Sequence, residues 1–170
     1  MRKKFIIING SMGTGKTTVC KSLYSKFNNS VWLDGDWCWL MHPWNITEKN
    51  KLMVINNIRF ILKSYLANSS FDYVFFTWVI PQEDTFNLIL DSLKEFEFDL
   101  YKITLLCSKE ALLQRMIKDN REEYNINNSI KRLECYEKMD TIKVDTTDKS
   151  VEEIVQNIEN IISKEYVKTC

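Results

Sequence analysis

The sequence predicts a three-layer α/β domain in which helices cover both faces of a parallel sheet. Two observations carry that fold, and a third places its ligand site. Five short runs read as strands, most of them apolar along their length: Phe5 to Asn9, Val31 to Asp34, Tyr73 to Ile80, Leu100 to Cys107 and Thr141 to Asp145. Between them lie longer segments whose apolar residues recur at helical spacing. Strands without polar alternation are buried on both faces, and strands separated by helices are parallel, with right-handed crossovers. A glycine-rich turn follows the first strand, at the carboxyl end where ligands sit in such sheets. With 170 residues, no repeat and no Pro- or Ser-rich divider, one domain over 1–170 is expected, able to bury a core without disulfides.

The first strand runs into Gly10, and a helix of about Lys16 to Phe27 follows. Asn28, Asn29 and Ser30 form a turn before the second strand. Thr47 opens a helix whose Leu52, Ile55, Ile58, Ile61, Leu62, Tyr65 and Leu66 are spaced by three and four. Pro81 stops the third strand, and a helix of about Gln82 to Phe96 presents Phe86, Ile89, Leu90 and Leu93 on one face. After the fourth strand Ser108 stands at an N-cap, with Ala111 at the third helical position. The helix from Lys109 gives way to a polar segment, Lys118 to Asn128, without apolar periodicity, and a further helical piece covers about Ser129 to Met139. Ser150 and Glu153 form a capping box for the last helix, whose buried face is Val151, Ile154, Val155, Ile158, Ile161 and Ile162.

Acidic and basic residues balance at 23 each, so no global field draws the chain to nucleic acid or an anionic membrane. The five cysteines (Cys20, Cys38, Cys107, Cys135, Cys170) have neither zinc-ligand nor redox-pair spacing, as expected of a reduced, intracellular chain. The basic residues near Met1 and the apolar Phe5 to Ile8 superficially look like a signal peptide, but the run is too short for one. No stretch approaches the roughly 20 apolar residues that cross a bilayer. A cytoplasmic protein is expected, monomeric or dimeric.

Gly10-Ser11-Met12-Gly13-Thr14-Gly15-Lys16-Thr17 satisfies G-x-x-x-x-G-K-[ST] between a strand and a helix, the setting a phosphate-binding loop requires. Glycines let the turn take positive φ and bring backbone N–H groups onto phosphate oxygens, and the helix points its positive dipole end at the same place. Lys16 is placed to reach the β- and γ-phosphates of ATP, and the Thr17 hydroxyl to coordinate Mg²⁺, with Thr18 beside them in the first turn. Three of the chain's four glycines lie in this loop, the fourth being Gly35, so a chance match is a poor explanation.

The second strand ends in Leu33-Asp34-Gly35-Asp36, which the parallel-sheet rule puts beside the P-loop. Phosphoryl transfer needs one carboxylate to accept the acceptor's hydroxyl proton and another to hold Mg²⁺ or its waters. Asp36 takes the first role and Asp34 the second; a polar turn after a strand is the alternative, since Asp-Gly is a common turn pair. Thr77 stands where many ATPases carry the acid that ends the third strand, which strengthens the claim of Asp34 or Asp36 on the metal.

The P-loop, the Asp-x-Asp after the second strand and an arginine-bearing segment late in the chain together resemble the small P-loop kinases. That group includes nucleoside monophosphate, shikimate and gluconate kinases and chloramphenicol phosphotransferase-like proteins. The stretch from Lys102 to Arg115 (KITLLCSKEALLQR) is particularly similar to that of ATP-binding tunicamycin-resistance-type proteins. The resemblance spans nearly the whole chain, though only the P-loop is a specific motif. It implies a P-loop NTPase fold, a sheet of strand order 2-3-1-4-5, and a mobile lid at about 118–128. It also implies that Arg121 reaches the transferring phosphate and that Arg115 lies against the adenine or the phosphates. Arg132 would fold back toward the acceptor, and Thr146, within Asp145 to Asp148, would lie where the adenine is held largely by backbone. The chain departs from the arginine pattern of nucleoside monophosphate kinase lids. An aromatic run also stands where shikimate kinases place a carboxylate-clamping arginine.

Trp32, Trp37, Trp39 and Trp44 cluster around the Asp pair. Trp37, Trp39 and Trp44, with Trp78 at the end of the third strand, are candidate walls for a planar base, a sugar face or an apolar antibiotic, and Arg59 a candidate partner for an anionic group. Packing of the next helix onto the sheet is the alternative role for each tryptophan, and an exposed helix charge that for Arg59. His42, the sole histidine, has no partner at catalytic spacing. The expectation is an ATP- and Mg²⁺-dependent kinase acting on a small-molecule acceptor. A 5′-hydroxyl polynucleotide kinase would use the same chemistry, but zero net charge and the lack of a basic, aromatic-studded stripe count against it. A nucleotide switch or AAA-type motor is the remaining class; the short chain, Thr77 and the missing N-K-x-D guanine motif count against that.

Overall fold

A computed structural model describes residues 2–163; Met1 and residues 164–170, and so the Cys170 of the cysteine set, lie outside the described part. Five strands, β1 (Lys3–Gly10), β2 (Ser30–Asp34), β3 (Tyr73–Thr77), β4 (Phe98–Leu106) and β5 (Ile142–Asp145), form one sheet in the order β2-β3-β1-β4-β5. Every neighbouring pair is parallel. The expected fold and strand order are both present.

The central strand explains why the strands read as continuous apolar runs. Side chains alternate across a strand, so Ile6 and Ile8 point to one face and Phe5 and Ile7 to the other, and all four are fully buried. The first face packs on α1 (Lys16–Tyr24) and α7 (Val151–Ser163) through Val19, Leu23, Ile154 and Ile158. The second packs on α2 (Glu48–Ala67) and α3 (Glu83–Asp91) through Val54, Ile58, Leu62, Phe86 and Ile89. Truncating a fully buried residue such as Ile58 to Ala would cost about 2–5 kcal/mol. No helix of the described residues is long and apolar enough to cross a membrane.

The helix caps follow the sequence signals. Ser108 Oγ accepts from the Ala111 N–H at 3.1 Å and starts α4 (Lys109–Lys118). Ser150 and Glu153 bond reciprocally, at 2.8 and 3.2 Å, ahead of α7. Helices α1 and α3 stop earlier than expected, at Tyr24 and Asp91, and continue as tighter i→i+3 turns, such as Phe27 N–H to Tyr24 O and Phe96 N–H to Leu93 O. β3 also ends early, at Thr77 rather than Ile80. The fully buried Asn9 side chain takes over from the sheet ladder: its Nδ2 donates to Ile80 O at 2.9 Å, and its Oδ1 accepts from Ile80 N–H at 2.8 Å.

The segment expected to lack helical order to residue 128 forms a helix instead, α5 (Glu123–Lys131), followed by α6 (Leu133–Lys138). Ile126, Ile130 and Leu133, spaced by four and three, cover Leu112 and Met116 of α4 and make a third, small core. Asparagines between these residues hid that period.

Candidate active site

The carboxyl ends of β1, β2 and β3 meet at a cleft of about 580 Å³. Its wall includes Met12, Gly13, Gly15, Lys16, Thr17 and Thr18 from the P-loop and the start of α1. Asp34 and Asp36 come from the end of β2, and Arg115 and Arg121 from α4 and the turn after it. Eight of these ten residues were candidates from sequence for nucleotide, metal or catalytic roles, and the other two, Asp36 and Arg121, for the transfer itself; the fold brings all of them together.

Within the loop, Gly13 has φ +85°, and a Cβ there would lie 2.7 Å from Met116 Cγ, so only glycine lets the loop pack under α4. Gly10 is equally closed, since a Cβ would meet the Leu105 carbonyl at 2.6 Å. Thr14 Oγ1 donates to Ser11 O at 2.9 Å and braces the turn from inside. The buried Ser11 hydroxyl donates to Ser129 O at 3.0 Å, linking the loop to α5. Lys16 is buried, and its Nζ also donates to Ser11 O at 2.9 Å. Burial lowers its pKa to about 8, against the opposing pull of Asp36 and then Asp34.

Asp34 is buried and pairs in register with Thr77 at the end of β3. Its Oδ2 accepts from Thr17 Oγ1 at 2.9 Å, and its Oδ1 accepts from the Asp36 N–H at 3.1 Å. The second bond caps a 3-10 turn, Gly35–Trp39, that carries the aromatic run. Asp36 opens toward the cleft. Desolvation, then repulsion from Asp34, raises its pKa, while Lys16, a hydrogen bond from Trp78 and Arg121 oppose the rise. Trp78 packs against Gly35, the residue before Asp36.

Other candidates fall outside the cleft wall. Arg59 turns to α3, donating from Nε and Nη2 to Leu88 O at 3.1 and 2.8 Å, so it satisfies a carbonyl in the last turn of that helix. Thr146 is fully buried; its hydroxyl donates to Leu106 O at 3.0 Å and accepts from Arg115 Nη1 at 3.0 Å. Arg115 Nη2 also donates to Thr146 O at 2.5 Å, so this arginine fixes the loop after β5 while lining the cleft. Arg132 sits between α5 and α6, close enough for its charge to oppose the rise that burial causes in the Tyr136 pKa. Trp37 lines a separate groove with Leu40, Met53 and Phe60. Sequence reasoning gave no site role to Val79, to Val151, which it placed on the buried face of the last helix, or to Asn9; the first two line the cleft and Asn9 positions the chain beside Trp78. A lone polar residue ending a buried strand was the signal for Asn9.

The donor set fits ATP and Mg²⁺. Thr17 Oγ1 and Asp34 Oδ2 are hard oxygen ligands beside a backbone cradle and a buried lysine. Among the described residues no group of three or more His, Cys, Asp and Glu could hold a metal by itself. Magnesium accepts that arrangement, taking one or two protein oxygens and filling its shell with phosphate oxygens and water.

A family model described as an AAA domain matches residues 6–141, most of the chain. The chain belongs to the AAA-domain family. No curated protein matches the AAA-domain chain by sequence. Solved structures of small P-loop kinases and their relatives share its fold. The tunicamycin resistance protein of Deinococcus radiodurans superposes with TM-score 0.74 at 17% identity, covering 95% of this chain and 96% of that one. A gluconokinase of Sinorhizobium meliloti gives 0.66 at 16% identity, covering 98% and 100%. A shikimate kinase of Acinetobacter baumannii, in complex with shikimate, gives 0.67 at 20% identity, covering 98% and 96%. The family description names a domain rather than a reaction, and these likenesses establish the small P-loop kinase fold.

Proposed function

We propose that this AAA-domain protein is an ATP-dependent kinase that transfers the γ-phosphoryl group of Mg-ATP to a hydroxyl or phosphate on a small nucleotide-, sugar- or antibiotic-like acceptor. The observation that carries the reading is the position of Asp36. A carboxylate with a raised pKa lines the same cleft as Lys16, Arg115 and Arg121, beside the Thr17–Asp34 pair. In a hydrolase the same acid would activate water, so the acceptor dependence of ADP formation decides between the two.

When bound, Mg-ATP supplies the phosphoryl group and the metal charge that offsets its oxygens. The chain's own residues do the rest. Backbone N–H groups of Gly13 to Thr17 hold the phosphates, and Lys16 leaves Ser11 O to bind them. Thr17 and Asp34 hold the metal side. Asp36 accepts the acceptor's hydroxyl proton on a carboxylate oxygen, and its raised pKa makes it a better base than an ordinary Asp. Arg121, on the exposed turn after α4, brings positive charge over the transfer path, and a lid of residues 118–128 that closes over it would exclude water. Arg115 supports the nucleotide end of the cleft through Thr146.

The family description keeps a second reading open, that of an ATPase or switch without an acceptor. ADP formation measured with and without nucleosides, sugars, sugar acids and hydroxyl-bearing antibiotics separates the two. A kinase is slow alone and stimulated by its acceptor; equal rates under all conditions favour the ATPase. Lys16→Ala should abolish turnover in either case.

A further inference from the structure

Seven of the twelve exposed large apolar side chains among the described residues lie between Trp37 and Phe60. Four of them share one groove. Trp37, Leu40, Met53 and Phe60, with Cys38 and Asn57, line a groove of about 420 Å³ between α2 and the turn after β2. Such a volume is that of a small-molecule site, about 300–1,000 Å³. Trp37 packs on Trp32, with ring centroids 5.0 Å apart and tilted by 55°, and Trp32 Nε1 donates to Thr77 Oγ1 at 3.0 Å.

The groove and the transfer site are separate hollows that meet at consecutive residues of the 3-10 turn. Asp36 lines the nucleotide cleft, and the next residue, Trp37, lines the groove. No Lys, Arg, His, Asp or Glu lines it. Of the α2 cations, Arg59 is bonded to Leu88 O, and neither it nor Lys49, Lys51 or Lys63 lines the groove. An anionic group seated in the groove itself would find no charged partner on its wall.

We propose that the acceptor is an uncharged hydroxyl compound with one large apolar part, a ring system or acyl chain, seated in the Trp37–Phe60 groove while its hydroxyl meets Asp36. This narrows the kinase reading above and rests on it. The groove selects by apolar area and rejects carboxylates and phosphates. Apolar burial supplies the affinity, and the Asn57 amide is the one side-chain amide on the wall that can orient a polar group.

A homologous series tests this by binding, without turnover. Methyl, butyl and hexyl β-D-glucoside, with gluconate as the charged comparator, are titrated against the protein in Mg-ADP, with quenching or shift of tryptophan fluorescence as the readout. The expected result is tightening of roughly two- to fourfold per methylene on burial, with gluconate weaker than hexyl glucoside. Phe60→Glu, at a side chain 72% exposed, should abolish the length dependence while leaving ADP affinity and Tm unchanged. Leu40→Glu, at 83% exposed, is the second variant. A flat series, failure of all three glucosides to bind, gluconate binding as well as hexyl glucoside, or a series unaltered in both variants overturns the proposal. So does a dimer in sedimentation velocity that both variants dissociate, because the face then belongs to a second copy. Graded binding without phosphoryl transfer would count against the kinase reading and leave the groove standing. Transfer to gluconate but not to hexyl glucoside would do the reverse.

Discussion

Trp78 lies so close against Gly35 that a Cβ on residue 35 would fall 2.5 Å from its Cγ. The same indole is among the groups that favour the charged form of Asp36, the residue after that glycine. Gly35 is therefore required by contact rather than by backbone angle. Gly35→Ala should push the ring and the 3-10 turn apart, costing about 1–3 kcal/mol of stability by overpacking. Transfer should fall further than nucleotide affinity, because the P-loop is untouched. Thermal denaturation together with an ATP titration checks both parts; loss of ATP binding equal to the loss of transfer would contradict this placement.

Lys16 sets a pH dependence whose sign is fixed by burial. Its folded pKa of about 8 lies below the ordinary 10.5, so the unfolded chain holds more protons between those values. Burial of the charged amine therefore costs stability below pH 8, and that cost is relieved as pH rises from 8 toward 10.5. Binding runs the other way, since phosphate needs the ammonium form. ATP affinity should weaken as pH climbs above about 8, with proton uptake on binding. Calorimetry at pH 9 in buffers of different ionisation enthalpy reads that uptake directly, and Lys16→Ala should lose it.

Asn9 holds the chain after β3 by two bonds to one residue, Ile80. Asn9→Ala leaves a buried N–H and a buried carbonyl unpaired, at about 1–3 kcal/mol each. Asn9→Asp sets a carboxylate oxygen against the Ile80 carbonyl in a fully buried site. At neutral pH it should therefore lower Tm at least as far as Asn9→Ala, and recover in acid where the carboxyl can donate. Both variants should lower transfer through displacement of Trp78 and Val79, with ATP affinity changed far less.

Asp36 is held at a cost, through desolvation and the repulsion of Asp34. Asp36→Asn removes that cost, so the variant should be as stable as the wild type or slightly more so. The gain stays within about 1 kcal/mol, because the open cleft lets water screen the carboxylate. Differential scanning calorimetry should show a Tm unchanged or raised by about 2–4 °C at most. A clear fall in Tm would mean that Asp36 serves the fold.

Much of this was legible in the sequence because it rests on local signals. The P-loop declared itself by its glycines, the sheet by strands such as Phe5 to Asn9 that bury both faces, and the caps by Ser108 and Ser150. What escaped depended on partners distant in sequence. The hydrogen bonds of the Arg59 and Thr146 side chains were not legible, because Leu88 O, Arg115 and Leu106 O lie far from them in sequence. The early end of β3 depends on Asn9, 71 positions from Ile80. α5 was missed because three apolar residues among asparagines become a helix only where α4 offers a surface to cover.

The central claim is that Asp36 makes this P-loop cleft a phosphotransferase site. Transfer of label from [γ-³²P]ATP to a hydroxyl acceptor, measured for the wild type and Asp36→Asn at equal nucleotide saturation, tests it most directly. The account predicts label in the acceptor with the wild type, and a fall of about 10²-fold or more in Asp36→Asn with ATP affinity retained. Label found in inorganic phosphate whether or not an acceptor is present, or equal transfer by the variant, would contradict it.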